Sequence, residues 1–295
     1  MIYAKNCPPD VMMVSTLVKR VGVLTNPTKP NADQVRKDLV EWLQKRGLEI
    51  FDTVETPIEK VIAESDVIVC LGGDGTILHL AGFMKERAVP VLAINIGSLG
   101  FLTEVRAEEL YDELKLVCSG QYEVEERILL NATVRWEGSK SEPERRFQAL
   151  NDIVVNREGL TRYMTVQLDI GGEHATRFSG DGVIVATPTG STAYSLSAGG
   201  PIVYPSLDNL IVTPICPHAS ALRPLVVSGN QSIRIRISCN ETREKALLTA
   251  DGQNEVAIDN RSIIDVTKSE NRFQLIKSSR RGYFSTLREK FKLPD

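Results

Sequence analysis

A continuous apolar run, Val67-Ile68-Val69-Cys70-Leu71, empties into Gly72-Gly73-Asp74-Gly75-Thr76, and a helical pattern follows at once. A run this short and this uniformly apolar predicts a strand buried on both faces. The same alternation of short apolar runs and helical spacing fills the first 120 residues. A strand is expected over 21–24, stopped at Asn26-Pro27, where proline denies the ladder a donor. Val35, Leu39, Trp42 and Leu43 recur at helical spacing, with Gly47 as a C-terminal cap. A strand over 48–51, an amphipathic piece over 58–62, a helix over 76–87, a strand over 89–95 and a helix over 107–118 complete the series. Strands alternating with helices of this length imply βαβ crossovers, so residues 1–120 read as a Rossmann-like open parallel sheet with its ligands at the carboxyl ends of the strands. Residues before Lys19 read as a loosely held leader.

The texture changes after Gly120. Helical periodicity gives way to short β runs over 128–136, 147–156, 165–170, 182–187, 210–215, 225–227, 232–238, 246–250, 262–267 and 273–277, with Gly, Pro, Asn or Asp between them. That pattern predicts a β-sandwich or similar all-β domain. A last helical stretch, 283–291, is expected to return to the first domain. The fold class is therefore α/β plus all-β. One domain takes residues 1–120 plus about 278–295 and carries the glycine loop; a β-rich domain takes 121–277.

Composition adds little to this picture. The chain has 295 residues, 42% hydrophobic and 25% charged, with a net charge of −3 that gives no general reason to expect nucleic acid. The densest cationic alternation, Arg234-Ile235-Arg236, reads as the wet face of a strand. The five cysteines share no CxxC spacing and are expected as reduced thiols rather than disulfides or metal ligands. The only early apolar stretch, 11–18, is short and interrupted by Ser15 and Thr16, so no membrane span is expected, and the reading is a cytoplasmic protein.

Chemistry enters with the glycines. Strand, glycine turn and helix let backbone N–H groups approach an anion with no Cβ in the way. Asp74 is the odd member, since a carboxylate in a phosphate cradle repels the ligand unless it binds a cation or attracts a hydroxyl. The motif is neither G-x-G-x-x-G nor a P-loop, which needs a Lys. His79 follows one helical turn later, and ligand contact and a plain surface role weigh equally there. Asn95-Ile96-Gly97-Ser98-Leu99-Gly100-Phe101-Leu102-Thr103 follows the next strand and should lie beside the first loop. Asn151-Asp152 opens another strand and offers an amide and a carboxylate suited to adenine or ribose. Ser179-Gly180-Asp181-Gly182 precedes a strand that ends in Thr187-Pro188-Thr189-Gly190-Ser191-Thr192-Ala193-Tyr194-Ser195-Leu196-Ser197-Ala198-Gly199-Gly200-Pro201. Seven hydroxyl residues between Thr187 and Ser197 read as too small and polar to pack for their own sake, and as a surface for a polyhydroxylated, phosphorylated ligand. Asp251-Gly252-Gln253 and Pro217-His218 say nothing alone.

Taken together, Gly72 to Thr76, Asn95 to Thr103, Asn151-Asp152, Gly180 to Pro201, Pro217-His218 and Asp251 to Gln253 resemble the ordered motif set of the NAD kinases, over residues 21–287. That resemblance implies phosphoryl transfer from ATP, or from inorganic polyphosphate, to the 2′-hydroxyl of the adenosine ribose of NAD, with a divalent cation such as Mg²⁺. It implies Asp74 as proton acceptor from the ribose hydroxyl with Gly75 beside it, Gly72 and Gly73 facing the donor phosphates, and Asn151 and Asp152 holding nicotinamide-side or adenine groups. Thr192, Ala193, Tyr194, Ser195 and Ser197 would wrap the dinucleotide. Asp181, Arg162 and Gln253 fall where the family has further contacts, Arg162 by spacing only. Asp152 stands where some members carry Glu, and His79 sits at a variable position. No dedicated metal-ligating side chains are implied; a homodimer or homotetramer is. The G-G-D-G turn is shared with lipid and sugar kinases, which form the alternative enzyme class, and a non-catalytic NAD(P)-binding regulator is the alternative outside catalysis.

Overall fold

The computed structural model describes residues 11–14, 17–84, 87–97, 99–138, 143–158, 164–219, 221–239 and 246–294. It divides into two compact units, Met1–Arg127 with Phe273–Asp295, and Ile128–Arg272.

In the first unit, β1 (Val11–Val14), β2 (Arg20–Thr25), α1 (Ala32–Gln44), β3 (Glu49–Asp52), α2 (Ile58–Glu64), β4 (Val67–Gly72), α3 (Asp74–Ala81), β5 (Val91–Asn95), β6 (Val105–Arg106), α4 (Leu110–Cys118) and the start of β7 (Tyr122–Trp136), whose residues from Ile128 on belong to the second unit, follow one another. Strands β5, β4, β2 and β3 lie side by side in that order, all parallel. Every residue of β4 and β5 is buried, which is why both read as unbroken apolar runs. Alternate residues serve opposite faces. Val67, Val69 and Leu71 join Leu39 and Leu43 of α1 and Leu110, Leu114 and Val117 of α4 in one core. On the other face α2 comes so close to β2 that a Cβ on Gly22 would lie 2.7 Å from Ser65 Oγ and 2.8 Å from Val61 Cγ1. Helices on both faces of a parallel sheet make the expected doubly wound layer.

The expected leader does not hold throughout. Val11–Val14 pairs antiparallel with β7, from Val11 opposite Glu125 to Val14 opposite Tyr122, because the long β7 offers an open edge there. The helix expected over 76–87 runs instead from Asp74 to Ala81. The one expected over 107–118 opens with a 3₁₀ turn, Ala107–Glu109, before α4 begins.

The second unit holds β8 (Arg145–Ala149), β9 (Asp152–Arg157), β10 (Met164–Ile170), β11 (Glu173–Gly180), β12 (Gly182–Ala186), α5 (Tyr194–Ser197), β13 (Asn209–Ile215), β14 (Leu225–Ser228), β15 (Ile233–Ser238), β16 (Ala246–Ala250) and β17 (Asn254–Ile258), with most of β18 (Ser262–Ile276). Six strands form an antiparallel sheet in the order β14-β13-β12-β9-β16-β17. Its Ile153, Val155, Val183, Val185, Leu210 and Leu248 share one core with Leu130, Val166, Phe178, Ile235 and Ile264 of the other strands, so the unit is a sandwich of two sheets. Val154, Ile184, Ala186 and Ile211 point the opposite way and pack with Val203 in a second core. Strand β12 is therefore buried on both faces, and the chain after it is laid over the outer one.

Several strands differ from expectation: β7 opens at Tyr122 rather than at 128, and β17 is a strand the pattern does not show. The single strand expected over 147–156 is two, broken at Leu150-Asn151. The two expected over 262–277 are one strand of 15 residues. Strand β11, largely exposed and polar, carries too little alternation to be read, although it pairs along its length with β10. The alternation Arg234-Ile235-Arg236 is borne out. Ile235 is buried, while Arg234 bonds Asp265 at 2.6 Å and Arg236 bonds Asp169 at 2.9 Å.

The chain ends in α6 (Tyr283–Phe291), which packs within the first unit as expected. The Phe291 ring lies 5.5 Å from that of Phe101, and Glu289 pairs with Arg106 at 3.0 Å.

Candidate functional site

In the first unit, β4 delivers Gly72 and α3 begins at Asp74, so the glycine loop is the shortest connection that reverses the chain. Gly72 leaves no room for a side chain, since a Cβ there would sit 2.2 Å from Thr76 Oγ1. Gly73 and Gly75 are different. A Cβ on either would meet no described heavy atom within 4 Å. Packing among the described residues does not demand glycine at these two positions, and their open backbone leaves space beside the loop.

Asp74 turns toward the loop after β5. Its Oδ2 accepts the Phe101 N–H at 2.8 Å, and its Oδ1 accepts the N–H groups of Leu102 at 3.0 Å and Thr103 at 3.2 Å and the Thr103 hydroxyl at 3.2 Å. Gly100 makes this approach possible, because a Cβ there would fall 1.9 Å from Asp74 Oδ1. The two glycine loops thus meet through the carboxylate. Asn26, read from the sequence only as a strand stop, donates from Nδ2 to Thr76 Oγ1 at 3.4 Å and lies beside the same loop. Its signal was its place at the carboxyl end of the neighbouring strand.

In the second unit a second aspartate plays a comparable part. Asp251, at the turn between β16 and β17 with φ 53°, accepts the N–H groups of Leu150 at 2.8 Å, Asn151 at 2.7 Å and Asp152 at 3.1 Å. These three amides cannot continue a ladder while they converge on one carboxylate, which is the reason β8 and β9 are separate strands. The β12 exit loop closes on the same turn. Thr187 N–H donates to Asn151 O at 2.9 Å and the Thr187 hydroxyl to Leu150 O at 2.6 Å. A Cβ on Gly190 would lie 2.1 Å from Asn151 O.

The hydroxyl run is only partly a surface. Thr187, Ser191 and Ser195 are fully buried. Ser191 Oγ donates to Pro188 O at 2.6 Å and accepts the Val203 N–H at 3.0 Å, and Ser195 Oγ shares a 2.8 Å bond with Thr213. These side chains do pack for their own sake, tying an irregular loop to the sheet where no strand ladder is available. The Ser195 hydroxyl is turned inward. Tyr194 and Ser197 are exposed, and Thr192 and Ala193 half-buried, with Thr192 Oγ1 on Thr189 O at 3.3 Å.

The remaining expected residues are scattered more widely. Asn151 and Asp152 stand together with Gly190 and Asp251. Asp181 is committed to Arg157, whose Nε donates to it at 2.7 Å. Gln253 is exposed two residues beyond Asp251, and its N–H donates to Ala250 O at 3.0 Å. His79 lies in the last turn of α3, exposed, with its ring edge-on to Phe83 at 5.1 Å. Arg162 lies outside the described residues.

Asp152 and Asp251 make a buried acidic pair. Burial lifts Asp152 from 3.8 to about 7, with the Asp251 charge adding to the rise, and burial lifts Asp251 to about 6 against the pull of its three amide donors. The amides make Asp251 the carboxylate that ionises first, and Asp152 keeps the proton. Both folded values lie above the unfolded one. The pair's contribution to stability is therefore complete below about pH 4 and is lost as pH rises through 6 and 7. Asp152→Asn is expected to flatten the fall in melting temperature between pH 5 and 8. A wild-type and variant pair with parallel curves over that window would remove the assignment.

Comparison with known proteins places these clusters in context. The ATP-NAD kinase N-terminal domain family matches residues 52–122 and the ATP-NAD kinase C-terminal domain family matches residues 150–278. A protein named NAD kinase from Syntrophotalea carbinolica is 40% identical over 290 residues, covering 92% of this chain and 98% of that one. Among solved structures, yeast NADH kinase complexed with NADH aligns with a TM-score of 0.88 at 25% identity, covering 95% of this chain and 89% of that one. An NAD kinase from Archaeoglobus fulgidus in complex with ATP aligns with a TM-score of 0.74 at 32% identity, covering 92% and 98%.

Proposed function

The chain belongs to the NAD kinase family, and from that premise we infer that it transfers the terminal phosphoryl group of ATP to the 2′-hydroxyl of the adenosine ribose of NAD, giving NADP. The observation that carries the chemistry is the Asp74 carboxylate, held by four donors in a loop whose Gly73 and Gly75 are open to a ligand.

Phosphoryl transfer asks for an acceptor oxygen in line with the terminal phosphate and for neutral or positive groups around the equatorial oxygens. The N–H groups of the Gly72–Gly75 loop suit the second task. Asp74 suits the first: it attracts the ribose hydroxyl, aligns it and takes its proton as the O–P bond forms. Because the proton leaves late in a loose transition state, an aligning carboxylate suffices. Asn151, Asp152 and the half-buried or exposed part of the 192–197 loop are assigned to the dinucleotide, and Gln253, Asp181 and His79 to its periphery. Arg162 stays in the same assignment by spacing alone.

A divalent cation, Mg²⁺ by preference, belongs to this reading. Among the described residues no group of three or more His, Cys, Asp or Glu gathers into a cage. Such an ion would keep most of its waters and would be held by the donor phosphates, whose charge it would neutralise. Assembly as a homodimer or homotetramer and a place in the cytoplasm are part of the same proposal. Among the described residues no helix is long and apolar enough to cross a membrane.

The test is direct. The protein incubated with NAD, ATP and Mg²⁺ is expected to form NADP, measured enzymatically, and a parallel incubation with inorganic polyphosphate decides whether that donor is also used. NAD binding without NADP from either donor would leave only the regulator.

A further inference from the structure

The four bonds to Asp74 are unevenly shared. Oδ1 accepts three donors, the N–H groups of Leu102 and Thr103 and the Thr103 hydroxyl, at 3.0, 3.2 and 3.2 Å, whereas Oδ2 accepts, among the described residues, only the Phe101 N–H at 2.8 Å. A carboxylate oxygen offers about two lone-pair directions. Oδ1 is saturated, and Oδ2 keeps room for one more donor.

The Thr103 hydroxyl is itself oriented. Asn95 Nδ2 donates to Thr103 Oγ1 at 3.0 Å, and both residues are buried, Asn95 4% and Thr103 0% exposed. A hydroxyl has one proton to give. With the Asn95 amide donating to its oxygen, that proton is left to point at Asp74 Oδ1. The origin of this relay is also rigid. Asn95 is the last residue of β5 and stands opposite Gly72 in the parallel ladder, with the Ile96 N–H on Gly72 O at 2.9 Å. The strand that carries Asn95 and the strand that leads into Asp74 are therefore bonded neighbours, so the relay is referenced to the sheet and not to a loop alone.

We propose that Asn95 and Thr103 are positioning residues of the phosphoryl transfer: together they anchor Asp74 through Oδ1 and leave Oδ2 as the oxygen that meets the acceptor hydroxyl. The proposal rests on the reading of Asp74 as that hydroxyl's proton acceptor. Both residues act through the carboxylate. The partners that face Asp74 from the Phe101–Thr103 segment are neutral amides and one hydroxyl, so the effect is one of direction rather than of added charge.

Thr103→Val removes the hydroxyl and keeps the shape, and Thr103→Ser restores the donor. Thr103→Val is expected to lower kcat about tenfold, the scale of one hydrogen bond to a charged group, with KM for NAD and for ATP unchanged. Thr103→Ser is expected to bring kcat back. Melting temperatures of both variants separate this from a general loss of fold. A Val variant with unaltered kcat overturns the proposal, as does a loss that Thr103→Ser does not rescue. Asp74→Asn, assayed alongside, separates the two levels: near-normal turnover in that variant overturns the role of Asp74 and the relay with it, whereas a dead Asp74→Asn beside a normal Thr103→Val overturns the relay alone.

Discussion

Asp74→Asn lowers kcat for NADP formation by about 10²–10⁴-fold, the span typical of a lost general base, while NAD affinity by calorimetric titration stays near that of the unsubstituted protein. The argument is geometric. An asparagine can keep its oxygen on the Leu102 and Thr103 amides, where Asp74 Oδ1 now sits. Its NH₂ group then occupies the place of Oδ2, facing the Phe101 N–H donor and offering the ribose hydroxyl a proton when it needs an acceptor. The loop is disturbed at one bond, and the chemistry loses the carboxylate charge. The dinucleotide contacts assigned to Asn151, Asp152 and the 192–197 loop belong to other residues, so binding survives. Turnover within a few-fold of normal would end the role of Asp74 as proton acceptor.

Gly190→Ala is expected to have the largest effect on folding. An added Cβ would lie 2.1 Å from Asn151 O, 2.5 Å from its carbonyl carbon and 2.8 Å from its Cα, and all three atoms are backbone. No rotamer can relieve the contact. The Asn151 backbone cannot easily give way either, because its N–H is held by Asp251 at 2.7 Å and its carbonyl by Thr187 N–H at 2.9 Å. The 187–192 loop must lift from the turn, which breaks those bonds in sequence. Overpacking of this kind costs about 1–3 kcal/mol or more, and the lost bonds add to it. The expected result is a clear drop in melting temperature together with weakened NAD binding, read by differential scanning fluorimetry and calorimetry. A variant that melts normally and binds NAD normally would show that the loop does not need this close approach.

The two experiments sit on the two clusters, and the clusters differ in how far they could be read in advance. The Gly72–Thr76 loop was legible because its signals are local. An unbroken apolar strand, glycines and a helical pattern fall within a dozen residues, and each has its meaning from its own neighbours. The α/β alternation, the change to β structure after Gly120 and the return of the last helix were legible for the same reason. Strand β11 was not, since half its length is exposed and polar and its place comes from pairing with β10. The break between β8 and β9 was not, since it is made by a carboxylate far along the chain. Ser191 and Ser195 were misjudged because a buried hydroxyl and an exposed one look alike in a sequence. What distinguishes them is a partner such as Val203 or Thr213, supplied by the fold.

By itself, then, the sequence determined the class of fold, the glycine loop and the aspartate in it, because periodicity and glycine chemistry are properties of adjacent residues. Only the tertiary structure decided what holds the working groups. It brought Phe101, Leu102 and Thr103 onto Asp74 across 27 to 29 positions, and Asp251 onto Leu150, Asn151 and Asp152 across about a hundred. Those bonds depend on strand register and burial, which bring distant residues within hydrogen-bonding distance, and no pattern of neighbouring residues encodes such a meeting.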